Sequence, residues 1–501
     1  MQKSIRFSFS PFMKDMVITT ITSVLTILCL ILTVKIIANG VGANEFGAYS
    51  LVRRIITVID PVATFAMGFA LTRYTAISLK ETKGHSYLSS ATLIVFLITA
   101  LIITLGLWLD VEISKIIFNS SNYISLFHAT LALIAGYSMY ILLYSHLRGL
   151  GLMSIANTWQ ISVIAIGPLI ISWQALEAGG GVVLIIYGMA ALFFLSVPFI
   201  VKYLKIYKHL GGHFFRKKKL KELVVYASPR VPGIFSYNLI FAVGPFIAAY
   251  QGLLKESGFI VIGQFVLRIV ESGMEAFSRV AFPRLSQEFS KTGKEGISEN
   301  VSNLFVMIFH IGLYLTVHLF IWSDIIIISW LGLEYIDALI PIKIITLSIL
   351  PYLYFVILRN VLDAIEVKSI ISNYLHIALF ITTFFSLLSV WFELGVKCLT
   401  ISFIVGIFFM GLMTSKRIYN DFIIDKSSLF FIKILSLNTL IVTFLFLIKI
   451  GYTYFITEPL SIFILLVLEI LFFIFYLYCI NKMKIGWIKM ITNRFIKQNG
   501  A

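Results

Sequence analysis

The sequence predicts an all-α polytopic membrane protein with about 14 transmembrane helices, arranged as two pseudo-symmetric six-helix lobes plus two C-terminal helices. Composition is the first reason: 59% of the 501 residues are hydrophobic and only 13% are charged, against ~25% charged in soluble domains. Mean hydropathy is +0.96. Second, apolar runs of bilayer-crossing length, about 20 residues, recur from about residue 17 to residue 480 and leave no room for a large soluble domain. Third, two of these runs carry matching polar stripes related by a shift of 215 positions.

The first run, 17–38, follows Lys3, Arg6 and Lys14. It has no small-residue cleavage site and further spans follow it, so a retained helix is expected, not a removed signal peptide. Further spans are expected at 46–70, 88–108, 123–145, 154–173 and 181–201, completing an N-terminal lobe over 1–201. Residues 202–223 form a basic linker containing Arg216, Lys217, Lys218 and Lys219. Such a loop faces anionic headgroups and could also dock or gate an anionic substrate head. The second lobe, 224–415, is expected to hold spans at 224–250, 259–282, 301–321, 339–359, 371–391 and 397–415. Two extra spans, 429–449 and 459–480, and a basic tail occupy 416–501.

Lys and Arg set the orientation. With the N-terminus in the cytoplasm, about 28 of the 40 basic residues fall in cytoplasmic segments. Only Lys115, Lys255, Lys397 and Lys449 fall outside. Both termini are therefore expected in the cytoplasm. Topology accounts for the net charge of +16 better than nucleic-acid binding does. Cys29, Cys398 and Cys479 lie in apolar runs with neither disulfide nor metal spacing, and no cofactor is expected.

In 259–283 the stripe is Gln264, Arg268, Glu271, Ser272, Glu275 and Arg279, spaced by three and four on one helical face. In 46–69 it is Tyr49, Arg53, Thr57, Asp60 and Thr64. The shift places Arg53 on Arg268, Thr57 on Ser272 and Asp60 on Glu275. A charge in the bilayer costs at least ~2.5–3.5 kcal/mol, so it turns inward to protein or a watery cavity. Two helices running the same way with matching stripes imply parallel repeats facing one cavity. Lys35, Arg54 (on another helical face) and Arg230 add to the charge of helices one, two, seven and eight. With these, cations outnumber carboxylates by three, which favours an anionic substrate. Arg53, Arg54, Arg230, Arg268, Lys35 and Glu271 are the substrate-binding candidates; Asp60, Glu275 and Arg279 are the candidates for ion coupling or gating. Lys35 and Arg279 are also near enough to the interface to snorkel, and Glu275 and Arg279 could simply pair at i,i+4.

Elsewhere, Lys343 and Lys433 are expected to snorkel, Glu469 to meet a neighbouring helix, and His310 and His318 to pack rather than bind metal. Pro229, Pro232 and Pro245 are expected to bend helix seven. No G-x-x-x-x-G-K-S/T phosphate loop, G-x-S-x-G elbow or H-E-x-x-H zinc motif is present. The external loops are short, which argues against a membrane glycan polymerase or ligase.

Four local motifs add a resemblance. Ala43-Asn44-Glu45-Phe46-Gly47-Ala48-Tyr49-Ser50 resembles the FGxYS signature of polysaccharide flippases, and Leu147-Arg148-Gly149-Leu150-Gly151 their RGLG turn. Ala227-Ser228-Pro229-Arg230-Val231-Pro232 opens helix seven as theirs do, and Phe282-Pro283-Arg284-Leu285-Ser286 is similar to their P-x-L-S ending of helix eight. In their order and spacing, across nearly the whole chain, these motifs resemble the Wzx-type O-antigen flippases of the multidrug/oligosaccharidyl-lipid/polysaccharide exporter (MOP) superfamily. The resemblance implies a central cavity between helices one, two, seven and eight in a transporter of the bacterial inner membrane. It implies movement of an undecaprenyl-pyrophosphate-linked oligosaccharide to the periplasmic leaflet by alternating access, coupled to an ion gradient. A polysaccharide polymerase and a chain-length regulator are the implied partners. Helix eight is more charged than the family pattern, a departure that could mean a different substrate; the alternatives are a lipid II flippase and a cation-coupled drug exporter.

Overall fold

The computed structural model describes the backbone at 11–78, 85–205, 217–365 and 370–422, with 467, 470–476 and 478 near the C-terminus. Side chains there are described except at 11–17, 85, 275–288, 290 and 364–365. Among the described residues every regular element is helical. The N-terminal part comprises α1 (Pro11–Ala63), α2 (Met67–Ile77), α3 (His85–Trp108), α4 (Asp110–Phe118), α5 (Ile124–Gly149), α6 (Met153–Gln160), α7 (Gly167–Glu177) and α8 (Val182–Tyr203). There follow α9 (Lys217–Ala227), α10 (Val231–Tyr250), α11 (Leu254–Leu331), α12 (Leu339–Thr346), α13 (Ile349–Ile365), α14 (Ile370–Trp391) and α15 (Gly395–Phe422).

Two of these runs are each two membrane limbs joined at one glycine. The 53 residues of α1 would extend ~80 Å at 1.5 Å per residue, far beyond the ~30 Å hydrocarbon layer. Gly42, at φ 76° and ψ 168°, breaks the run in a region that only glycine enters readily. The limbs then run in opposite directions. Thr19 on the first accepts from Asn157, and Thr75, beyond the second, bonds His146, so both reach the turn between α5 and α6. The bend itself lies at the other end, where the Ala38 carbonyl accepts from Tyr335. Gly293, at φ 68° and ψ −160°, interrupts the 78 residues of α11 in the same manner. Segments 39–45 and 283–300, read as loops from the sequence, are therefore helical to within a residue of the turn.

Ten described helices are long and apolar enough to cross a membrane, eleven if one bent pair counts as a single span. With α1 divided at Gly42, they account for all twelve spans expected between 17 and 415. The last two expected spans, with Lys433, Glu469 and Cys479, lie outside the described residues except for the helical 470–476.

Helix two departs from expectation by ending at Ala63 rather than 70. Pro61 has no N–H to offer the Thr57 carbonyl, and Phe65 and Ala66 turn left-handed at φ 50° and 49° before α2 resumes. Helix ten is bent by 53° between α12 and α13, where Pro351 cannot donate to the Leu347 carbonyl. At Pro229 the α-helix gives way to a 3-10 turn between α9 and α10, and Pro232 lies just beyond it. Both sit in first turns, of the 3-10 segment Ser228–Arg230 and of α10, where the missing N–H is harmless. Only Pro245 is interior.

Buried side chains form two cores. One fills the N-terminal half and continues across one end of the bundle into Leu254, Phe259, Ile262, Ile327, Leu331 and Tyr335 of the second half. The other lies within the second half, around Phe241, Leu267, Tyr352, Phe355 and Phe403. The halves are thus fused at one end, the one expected to face outward. At the opposite end α9 docks on the first half through Leu223 and Ala227, each fully buried.

Candidate functional site

A cavity of about 400 Å³ lies between the halves, below the fused end. Its wall comes from both limbs of α1, from Tyr137 of α5, from Asn238 of α10 and from the start of α11. Helices one, two, seven and eight therefore meet there, with one residue added from helix four.

The polar lining is uneven in sign. Arg53, Arg54 and Arg268 face it against one carboxylate, Asp60. Arg53 is exposed and takes part in no ion pair among the described residues. Arg54 is only 7% exposed and Gln264 is fully buried; Arg54 Nη2 donates to Gln264 Oε1 at 2.7 Å. Arg268 donates to Glu271 at 2.9 Å and lies 4.3 Å from the Phe241 ring centroid. The Oδ1 of Asp60 is buried with no hydrogen-bond partner. Thr57 lines the same wall, and the carbonyl that Pro61 leaves without a helical donor accepts from Asn238 Nδ2 at 2.7 Å. That bond joins the two halves across the cavity.

Glu271 lies behind the lining, as the centre of a buried cluster. Tyr237 and Tyr352 donate to its two oxygens at 2.9 and 2.6 Å, and Arg359 stands 3.6 Å away. Lys35 reaches the Ser329 carbonyl at 3.4 Å in the outer seal, away from the cavity wall. Arg230, at the inner end, stacks 3.8 Å over Tyr226. The side chains of Glu275 and Arg279 lie outside the described residues. Of the histidines, His310 bonds Tyr476 at 3.0 Å and His318 stacks on Tyr314 at 3.8 Å.

Sequence reading missed Tyr137, Asn238, Tyr237, Tyr352 and Arg359. Tyr352 and Arg359 are seven apart, which places them on one helical face; that spacing was an available signal. Pro61 was another.

The outer seal is dense. Ala43 N donates to Glu334 at 3.1 Å, Trp330 Nε1 to the Ile31 carbonyl at 3.0 Å, and Tyr335 to the Ala38 carbonyl at 2.8 Å. A Cβ on Gly47 would fall 2.0 Å from the Leu254 carbonyl oxygen, so the backbones of the halves touch only because that residue is glycine. This arrangement closes the cavity at the end that the sequence expects to face outward.

The fold is similar to that of solved transporters of the MOP superfamily. No protein-family model matches the chain, and no curated protein matches it in sequence. Among solved structures it is similar to the lipid II flippase MurJ in an inward closed conformation, with TM-score 0.68, 15% identity, and 94% of this chain and 99% of that one covered. A multidrug resistance MATE family transporter of the MOP superfamily, inward-facing, gives TM-score 0.67 and 12% identity over 80% of this chain and 98% of that chain. A MATE family transporter in its outward-facing conformation gives 0.54 at 13% identity, over 81% and 96%.

Proposed function

We propose that the chain is a flippase for an undecaprenyl-pyrophosphate-linked oligosaccharide, an O-antigen or related polysaccharide repeat unit. It carries this lipid from the cytoplasmic to the periplasmic leaflet of the bacterial inner membrane. The observation that carries the reading is the cavity lining, three arginines against one aspartate at membrane depth. Guanidinium groups bind phosphate oxygens in bidentate geometry, and arginines gathered in one cavity attract a pyrophosphate or an acidic sugar. A cation-coupled drug exporter would favour the opposite balance. Alternating access fits two halves sealed at one end, and the chemistry asked of the protein is positioning rather than bond making, so the reading is of a transporter and not an enzyme.

Asp60, with an unpartnered carboxylate oxygen at the Pro61 break, is the group we assign to ion coupling. The two-lobe division at 202–223, the two extra helices over 416–501, the cytoplasmic termini and a gate-side Glu275–Arg279 pair belong to the same proposal. So do the polymerase and chain-length regulator, which would act on the delivered lipid. A lipid II flippase is the second reading, favoured by the 94% of this chain that the MurJ comparison covers; it requires the gene to be essential for cell-wall growth. The test is complementation of a strain lacking the gene. Arg53→Ala and Arg268→Ala should each abolish surface polysaccharide at normal membrane levels, and normal polysaccharide in both would refute the assignment.

A further inference from the structure

The Arg54–Gln264 hydrogen bond is a buried polar contact between the two halves. Its donor is on the second limb of α1 and its acceptor on α11, 210 positions apart. Transport by alternating access must break the contacts that hold the halves together, and most of the others are apolar or involve backbone. This one joins two side chains, one of them a cation. Among the described residues Arg54 has no carboxylate partner, and its hydrogen-bond acceptor is the neutral amide of Gln264. Two donors are also left over, for Arg54 Nε and Gln264 Nε2 are both buried without hydrogen-bond partners. Leaving a buried donor unmade is costly, more so on a charged group. Arg268 stands on the same Phe241 ring, its guanidinium carbon 4.3 Å and that of Arg54 5.7 Å from the centroid, but Arg268 is neutralised by Glu271. Arg54 is not.

We propose that Gln264 is a positioning residue whose amide latches Arg54 in the outward-closed state, and that an oxyanion in the cavity releases the latch. The amide oxygen holds one Nη group across the interface. The unused Nε–H of Arg54 and N–H of Gln264 are the donors an arriving phosphate oxygen would take, and an anion satisfies Arg54 better than a neutral amide does. Once Arg54 turns to the anion, the polar bond between the halves is gone and the outer end can part. The first half of this proposal needs no substrate; the second rests on the flippase reading.

The test places a reporter cysteine at Ser50, which lines the cavity and is 2% exposed, in a full-length chain with Cys29, Cys398 and Cys479 changed to serine. A membrane-impermeant maleimide is applied from the periplasmic side, and labelling after permeabilisation measures the folded total. Gln264→Leu should raise outside labelling several-fold, and Gln264→Glu, which makes an ion pair with Arg54, should lower it below the parent. Unchanged labelling in both variants overturns the latch; if the leucine variant fails to fold, the glutamate variant decides alone. Farnesyl pyrophosphate, but not farnesol, should raise labelling in the parent and not in Gln264→Glu. If neither compound changes the parent while the variants behave as stated, the latch stands and the anion-release half falls. That outcome is separable from failure of the flippase reading, which polysaccharide complementation reports.

Discussion

Arg268 and Glu271 form an ion pair at 2.9 Å that ties the cavity wall to the polar centre of the second core. One face of the guanidinium meets the cavity, while the carboxylate behind it is shared with Tyr237, Tyr352 and Arg359. Removing one member of a buried pair leaves the other charge uncompensated and costs ~3–5 kcal/mol. Arg268 and Arg359 each keep 29% side-chain exposure, so Glu271→Gln should destabilise by about 3 kcal/mol, at the lower end of that range. A thermal unfolding series in detergent checks it, and a melting temperature equal to wild type would show the cluster to be energetically idle.

Gly47 sets the closeness of the outer seal. A valine there cannot be placed beside the Leu254 carbonyl without separating the halves. Spin labels at Ile116 and Leu333, both well exposed at the outer end, should report a longer distance by several Å, roughly the scale of a side chain, in Gly47→Val. An unchanged distance distribution would mean that the clash is relieved within one half.

The lysines of α9 should separate by burial rather than by sequence. Lys219 is 8% exposed, bonds Ser86 and lies 4.5 Å over the Tyr87 ring, whereas Lys217 and Lys218 are exposed. Lys219→Ala is expected to cost about 1–2 kcal/mol, and Lys217→Ala and Lys218→Ala to stay within ~0.5 kcal/mol. Equal effects at the three positions would contradict the docking of α9 on the first half.

Charge in the cavity predicts a salt dependence. The Debye length falls from ~10 Å at 0.1 M to ~3 Å at 1 M, so farnesyl pyrophosphate should bind roughly tenfold more weakly at the higher salt. Calorimetry on the purified protein measures this. A salt-independent Kd would assign recognition to the prenyl chain instead.

The helices were legible because bilayer length and apolar composition are local properties. The convergence of Arg53 and Arg268 on one cavity was legible too, since charge at membrane depth must turn inward and the two residues match under a single shift. Individual partners were not. Arg54 is expected on another helical face than Arg53, yet both line the cavity and the long side chain of Arg54 crosses the interface to Gln264. Glu271 was placed with the cavity residues because it shares their stripe, but the tyrosines that draw it into the core come from α10 and α13, and no periodicity within α11 could announce them. The break after Ala63 follows from Pro61, a residue whose effect is local and whose partner, Asn238, is not.

In the proposed function, this cationic cavity moves a pyrophosphate-linked glycolipid across a bilayer. The most direct measurement reconstitutes the protein in vesicles holding a labelled polyprenyl-pyrophosphate oligosaccharide and follows its exposure to an external glycosidase. Wild-type protein is predicted to bring the protected fraction out over time, and the Arg53→Ala, Arg268→Ala double variant to leave it at the level of protein-free vesicles. Equal exposure with the double variant and the wild type, or none with either, would mean that these arginines do not carry such a lipid.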